Sequence, residues 1–464
     1  MDRPQRRAAP SKASALGGQR ITRSEKRGGT NTMTVTVFIV SLLLAMSIGM
    51  PIAYALLVCG LCLMAFLAST SGLVTFDSQI LAQRFVDGAD NFPLLAVPFF
   101  MLAGEFMNAG GLSRRIVNMA MAWVGHFRGG LGYVTVLAAI VMASLSGSAV
   151  ADTAALAALL IPMMRAAGYN INRAAGLISS GGIIAPVIPP SIGMIIFGVA
   201  GNVSITKLFL AGIVPGILMG AAIGLTWWWV AKKENVQPAA RVDMPTRLKI
   251  TFQGSLALAL PVIIIGGMKF GIFTPTEAAV VAAVYSFLVG MFVYRELKFN
   301  ELYDLILKAG KTTAVVMFLV AAAMVSAWLI TVANIPTEVA AMLEPLMGNK
   351  ILLMFVMMIL IVVVGTALDF TPTVLILTPV LMPVVLKAGI DPVYFGVMFI
   401  MNNAIGLITP PVGTVLNVVC GVAKISMDDA FKGVMPFLLA QLSVLFLLVL
   451  FPQIVTVPLQ WWMR

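Results

Sequence analysis

Charge and histidine are what this sequence lacks. Of its 464 residues only 11% are Asp, Glu, Lys or Arg, against 60% hydrophobic, and the mean hydropathy is +1.00. Soluble chains are usually about a quarter charged. Seven stretches, 34–68, 174–206, 208–231, 250–268, 312–337, 392–423 and 433–463, carry no charged residue at all. As helices they match a hydrocarbon core of ~30 Å, which takes ~20 residues. None shows the alternation over about ten residues that barrel strands need. The class is therefore an all-α polytopic membrane protein, with the lipid bilayer as its solvent and no nucleic acid as a partner. The one histidine, His126, excludes a His-built metal site and sits beside a basic turn, as an interfacial residue does. The three cysteines, Cys59, Cys62 and Cys420, lie inside apolar runs and read as small hydrophobes, despite the C-x-x-C spacing of the first two. One His and no acidic cluster leave little from which to build an intramembrane enzyme, so no enzymatic activity and no organic cofactor are expected.

Charge is present mainly at the edges. Residues 1–32 form a polar, basic tail with eight Lys or Arg against two acids, a net 8 − 2 = +6 of the chain's +11. Such a segment cannot build a packed core, and Met33, where the membrane pattern begins, is a plausible alternative start. Spans are predicted at 34–49, 51–68, 92–110, 172–200, 206–230, 251–268, 274–293, 312–332, 391–417 and 430–456. Thr274-Pro275-Thr276-Glu277 has the form of a helix start, with Thr274 as N-cap and Glu277 as the capping-box acid. Residues 231–249, with five basic residues, form the one long polar connection and divide the chain into 33–230 and 250–464.

The halves share a pattern. Each has two spans, a short polar amphipathic stretch (70–91; 298–311) and a third span. Next comes an apolar segment too long for one crossing (131–166; 350–387), then a broken span and an intact one. Asp152 lies ten residues before Pro162, as Asp369 lies ten before Pro379; Pro189-Pro190 matches Pro410-Pro411. Five crossings per half make the repeat inverted, a signature of secondary transporters with paired broken helices. With 231–249 inside the cell, 16 basic residues fall inside and six outside, a positive-inside bias. The same count puts the N-terminus outside, where a +6 tail fits poorly.

Four segments carry polar and helix-breaking residues at membrane depth. Two are the centres of the re-entrant segments: Ser146, Gly147, Ser148 and Asp152 in the first, and Gly365, Thr366, Asp369, Thr371 and Thr373 in the second. Two interrupt spans: Gly181, Gly182, Pro189, Pro190 and Ser191, and Asn402, Asn403, Gly406, Thr409, Pro410 and Pro411. Irregular backbone at this depth must be buried in protein or line a polar cavity. Half-helix N-termini suit a carboxylate, while unwound carbonyls and Ser, Thr and Asn oxygens suit Na⁺. Ser146, Ser148, Thr366 and Thr373 are the sodium candidates. Small residues for tight packing explain one such segment more readily than four in matching positions. Asp152 and Asp369 either cap the returning arm of each hairpin or ligate a cation. Glu105, in the third span, reads as an interfacial anchor rather than a proton carrier, and a single such Glu favours Na⁺ over a proton relay.

Val97-Pro98-Phe99-Phe100-Met101-Leu102-Ala103-Gly104, Ser146-Gly147-Ser148-Ala149-Val150-Ala151-Asp152, Ala185-Pro186-Val187-Ile188-Pro189-Pro190-Ser191, Gly271-Ile272-Phe273-Thr274-Pro275-Thr276-Glu277-Ala278 and Gly406-Leu407-Ile408-Thr409-Pro410-Pro411 resemble the large permease of tripartite ATP-independent periplasmic (TRAP) transporters, the DctM family, over about residues 33–460. The resemblance implies an elevator-type fold of the ion-transporter superfamily in the bacterial inner membrane. It also implies sodium-driven import of a carboxylate: a C4-dicarboxylate, a sialic or other sugar acid, or a keto acid. A small four-helix membrane subunit and a periplasmic substrate-binding protein are the implied partners. A stand-alone dicarboxylate or citrate symporter of the same superfamily would share the repeat and need no binding protein. The basic tail before Met33 departs from the family pattern.

Overall fold

In the computed structural model, which describes residues 33–70, 77–233, 238 and 240–463, every regular element is helical. The basic tail lies outside the described residues. Nine of the described helices are long and apolar enough to cross a membrane, and several shorter apolar ones accompany them.

The first half runs α1 (Met33–Ser47), α2 (Ile52–Thr70), α3 (Ser78–Ala89), α4 (Ala96–Ala109), α5 (Leu112–Val124), α6 (Gly130–Ser146), α7 (Ala149–Ala166), α8 (Ile171–Gly182), α9 (Ile192–Gly201) and α10 (Ile205–Lys233). The second runs α11 (Met244–Lys269), α12 (Pro275–Leu288), α13 (Leu302–Val332), α14 (Ile335–Leu343), α15 (Lys350–Ala367), α16 (Phe370–Lys387), α17 (Pro392–Gly406), α18 (Thr414–Ala423) and α19 (Met427–Leu450). A further helix, α20 (Gln453–Trp462), follows the Phe451–Pro452 break. Helix pairs α6–α7 and α15–α16 are the two hairpins, and α8–α9 and α17–α18 are the two broken helices.

Local chemistry sets many of these ends. The Thr274–Glu277 capping box is present: Glu277 N donates to Thr274 Oγ1 at 3.3 Å, and Thr274 N donates to Glu277 Oε2 at 2.7 Å. Asn170, Ser191, Asp243, Asp391 and Ser426 cap α8, α9, α11, α17 and α19 with their side chains, which satisfies donors that a helix start leaves free.

Three features differ from the span reading. Residues 298–311 continue into the third span of the second half as one helix, α13, whereas in the first half a short linker at Asp90–Asn91 separates α3 from the helix leading into α4. Short helices α5 and α14 stand between the third spans and the hairpins. The last span is divided, because Pro452 cannot donate its backbone nitrogen to the α19 ladder. Neither short helix forms a long uncharged run: α5 carries Arg114 and Arg115 on an amphipathic surface, and α14 has only nine residues and carries Glu338.

Packing sorts the helices into two sets. α2 lies against α13 and α4 against α12, the same pairing seen from each half, and α5 packs on α11. Glu105 on α4 pairs with Lys308 on α13 at 2.8 Å, which supports its anchoring role. Arg115 on α5 meets Glu296 at 2.7 Å and lies 3.6 Å above the Tyr294 ring. Inside this frame the hairpins and broken helices interlock across the halves. The returning arm α7 packs on α18, and the returning arm α16 packs on α9. α8 and α10 both close against α19.

Candidate functional site

Each hairpin tip rests on the break of its own half. In the first, Gly147 turns the chain with φ +64, a left-handed conformation that glycine adopts without Cβ strain. A Cβ there would lie 2.3 Å from the Pro190 carbonyl oxygen and 3.0 Å from Ser191 Cα, so the tip and the break are in backbone contact. Ser148 caps α7, accepting from Ala151 N at 3.4 Å. Ser146 donates its hydroxyl to Asp152 Oδ1 and accepts from Ser148 N at 3.2 Å. Asp152 is 3% exposed, and its second oxygen, Oδ2, is buried without a partner. The neighbouring Thr153 hydroxyl, also buried and unpartnered, faces Gly182, as shown by a would-be Gly182 Cβ only 1.6 Å from it. Ser191 donates to the Pro186 carbonyl at 2.5 Å and caps α9, accepting from Met194 N.

The second tip is built differently. Gly365 approaches Asn403 Oδ1 (3.1 Å from an added Cβ), and Gly406 approaches the Gly365 carbonyl oxygen (3.0 Å). Asn403 donates to the Phe370 carbonyl at 2.8 Å while its Oδ1 has no donor. Asp369 stands at the N-cap position of α16 but makes no side-chain cap bond; its Oδ1 accepts from Thr414 at 3.3 Å, across the break in α17–α18. Neither acid, then, caps its helix: Ser148 does that work for α7, and Asp152 lies one turn inside. Phe370 reaches into the other half, its ring 2.5 Å from where a Gly193 Cβ would stand. Asp369 and Pro411 are exposed, whereas Asp152 and Pro190 are buried, so the first site is closed and the second open to the surface.

Other predicted residues lie apart from the tip contacts. Thr366, Thr373 and Thr409 donate to the Val363, Asp369 and Ile405 carbonyls of their own helices or turns. Asn402 donates to the Met358 carbonyl on α15 at 2.6 Å, and its Oδ1 is buried without a partner. Gly181 faces Ala139 on α6 rather than the tip. Pro189-Pro190 and Pro410-Pro411 are both cis, at matching places in the two breaks. For Thr371 no side-chain hydrogen bond is observed. Thr153, Thr414 and Phe370 belong to the same four segments but were not among the candidate site residues, although each stands one to three residues from one.

Residues 39–454 match the family described as "Tripartite ATP-independent periplasmic transporter, DctM component". The chain belongs to the TRAP large permease family. It is 58% identical over 429 residues to the 2,3-diketo-L-gulonate TRAP transporter large permease protein YiaN of Escherichia coli K12, covering 92% of this chain and all of that one. It is 38% identical over 405 residues to the sialic acid TRAP transporter large permease protein SiaM of Vibrio cholerae, covering 87% of this chain and 93% of that one. Among solved structures, the YdaH transporter of Alcanivorax borkumensis superposes with a TM-score of 0.59 at 16% identity, over 81% of this chain and 89% of that one. That likeness is one of fold, between this all-helical chain, with nine apolar helices long enough to cross a membrane among its described residues, and that transporter.

Proposed function

We propose that this TRAP large permease is a sodium-driven importer of an organic acid, held in the bacterial inner membrane with a small membrane subunit and fed by a periplasmic substrate-binding protein. The observation that carries the reading is the buried, unpartnered Asp152 Oδ2 at the contact between a hairpin tip and a broken helix. A buried carboxylate oxygen without a hydrogen-bond partner is costly, and a bound cation removes that cost. The mirrored contact offers Asn403 Oδ1 and the Asp369 carboxylate. Four helices, α7, α9, α16 and α18, begin at the tips and breaks. Their N-terminal N–H groups and partial positive charges suit a substrate carboxylate, since the tips themselves hold no Lys or Arg. The interlocked hairpins and broken helices form the moving body of an elevator, and α2–α5 with α11–α14 form the frame.

Identity of 58% with a permease named for 2,3-diketo-L-gulonate favours a keto sugar acid as the substrate. The test is uptake into proteoliposomes that hold this chain and its small partner, with the binding protein and labelled 2,3-diketo-L-gulonate outside. Uptake is expected only with an inward sodium gradient and only with the binding protein. Equal uptake on a proton gradient without sodium overturns the ion assignment, and uptake without the binding protein overturns the tripartite one.

A further inference from the structure

A groove of about 760 Å³ opens between α6 and α10, away from the tips and breaks. Gly220 lets α10 pack tightly on α6, since a Cβ there would lie 2.4 Å from Ile140 Cδ1, while the exposed Ala221 and the half-buried Gly224 line one wall of the groove and Val136, Leu137 and Ile140 the other. Along α10 it extends from Ile217 to Lys232, fifteen steps or ~22 Å of helical rise. That is the depth of one leaflet, half of a bilayer ~40–45 Å thick with its headgroups.

The ends of the groove differ. The deep end is aliphatic. At the other, Arg128 and Lys232 both line the mouth, with Tyr133 and Trp228 just below them. Arg128 donates to the Lys232 carbonyl at 3.5 Å, and the Lys232 ammonium stands 3.5 Å from the Trp228 ring centroid. Among the described residues lining the groove none is acidic. Basic side chains above aromatic rings mark the headgroup level of a membrane, and basic pockets between helices on the cytoplasmic side receive anionic headgroups. The basic-residue count puts this end of α10 inside the cell.

We propose that this groove is a binding site for one anionic phospholipid of the cytoplasmic leaflet, with an acyl chain against Leu137, Ile140 and Ala221 and its phosphate between Arg128 and Lys232. The lipid fills the groove between the two helices and fastens the start of the first hairpin to α10. Charge selects the headgroup, and shape selects the chain.

The full chain, purified in detergent, is offered equal phosphatidylglycerol and phosphatidylcholine, and retained lipid is counted by native mass spectrometry. Wild type is expected to retain one phosphatidylglycerol in preference to phosphatidylcholine. The double variant Arg128→Gln/Lys232→Gln should lose that preference by about thirtyfold, as two surface cations are removed. Ala221→Trp, at an exposed position on the groove wall, should lose retention of both lipids while eluting as a monodisperse peak. If the charge variant fails to fold, Ala221→Trp alone decides. Equal retention of both lipids by wild type, unchanged retention in Ala221→Trp, or a polypeptide crosslinked at Ala221 in the membrane overturns the proposal.

Discussion

Gly182 is the last residue of α8 and stands where α7 crosses it. An added Cβ would lie 1.6 Å from Thr153 Oγ1, 2.9 Å from Thr153 Cβ and 3.3 Å from the Ala149 carbonyl oxygen. Non-bonded heavy atoms settle at about 3.5–4.0 Å, so Gly182→Ala forces an overlap of roughly 2 Å. Thr153 is fully buried and stiff at χ1, and the nearby Ala149 carbonyl belongs to the same helix. The first turn of α7 must therefore move as a unit. Overpacking of this kind costs about 1–3 kcal/mol, or roughly a five- to 150-fold shift in an equilibrium. Asp152 adjoins Thr153, so the shift displaces its carboxylate, and the half-saturating sodium concentration for uptake should rise by that factor. Thr153→Ala removes the 1.6 Å overlap and leaves only the 2.9 Å approach to Cβ. The double variant should recover most of the loss, a coupling of at least ~1 kcal/mol between contacting sites. Sodium titration of uptake in proteoliposomes, with thermal unfolding in detergent alongside, measures both effects. A Gly182→Ala permease that titrates like wild type, or two changes that simply add, would refute the contact and its link to the cation.

Thr414→Val and Asp369→Asn should each weaken sodium dependence by roughly two- to tenfold, the worth of one hydrogen bond, and the double variant should be no worse than the worse single. Additive losses would show that the 3.3 Å contact is not shared. Single cysteines at Gln237 and Asn349 in a cysteine-free background should differ in reaction with an impermeant reagent: Asn349→Cys should react in intact cells, and labelling of Gln237→Cys there would invert the topology. Burial, with the charges of Arg247 and Arg241, holds the His126 imidazole below its ordinary value. As the chain's sole histidine, it should react with diethylpyrocarbonate down to a lower pH than free N-acetylhistidine, because the neutral ring persists as pH falls. A profile at or above that of the free residue contradicts the assignment.

The repeat, the hairpins and the helix breaks were legible because each leaves a local mark: an over-long apolar run, a Pro-Pro pair, a Ser-Gly-Ser turn. The capping box at Thr274 was legible for the same reason. What the sequence did not display was which oxygens meet. Thr414 finds Asp369 across 45 residues, and Gly182 finds Thr153 across a loop and two helices; no local pattern encodes such pairs. Thr366 and Thr373, chosen for their type and place, donate to nearby backbone carbonyls, as hydroxyls in apolar helices often do, and this too no sequence pattern displays. The two acids looked alike in the sequence. Structure separates them, because only the first is enclosed.

The cross-bracing of the hairpins has a consequence for biosynthesis. Arg165, at the end of α7, donates to the Ala423 carbonyl at the end of α18 at 2.6 Å, a partner 258 residues later in the chain. Arg173 likewise reaches the carbonyls of Lys432 and Gly433 on α19. A ribosome adding about 5–20 residues per second needs roughly 13–52 s to cover 258 residues. Throughout that interval the first hairpin has entered the membrane, yet the helix it will clasp has not been made. Its polar tip, with Ser146 and Asp152, must wait beside lipid, the insertion machinery or a guardian protein. This permease is therefore finished from its C-terminal end backwards, and a chain cut within α17 or α18 leaves the earlier hairpin without its brace.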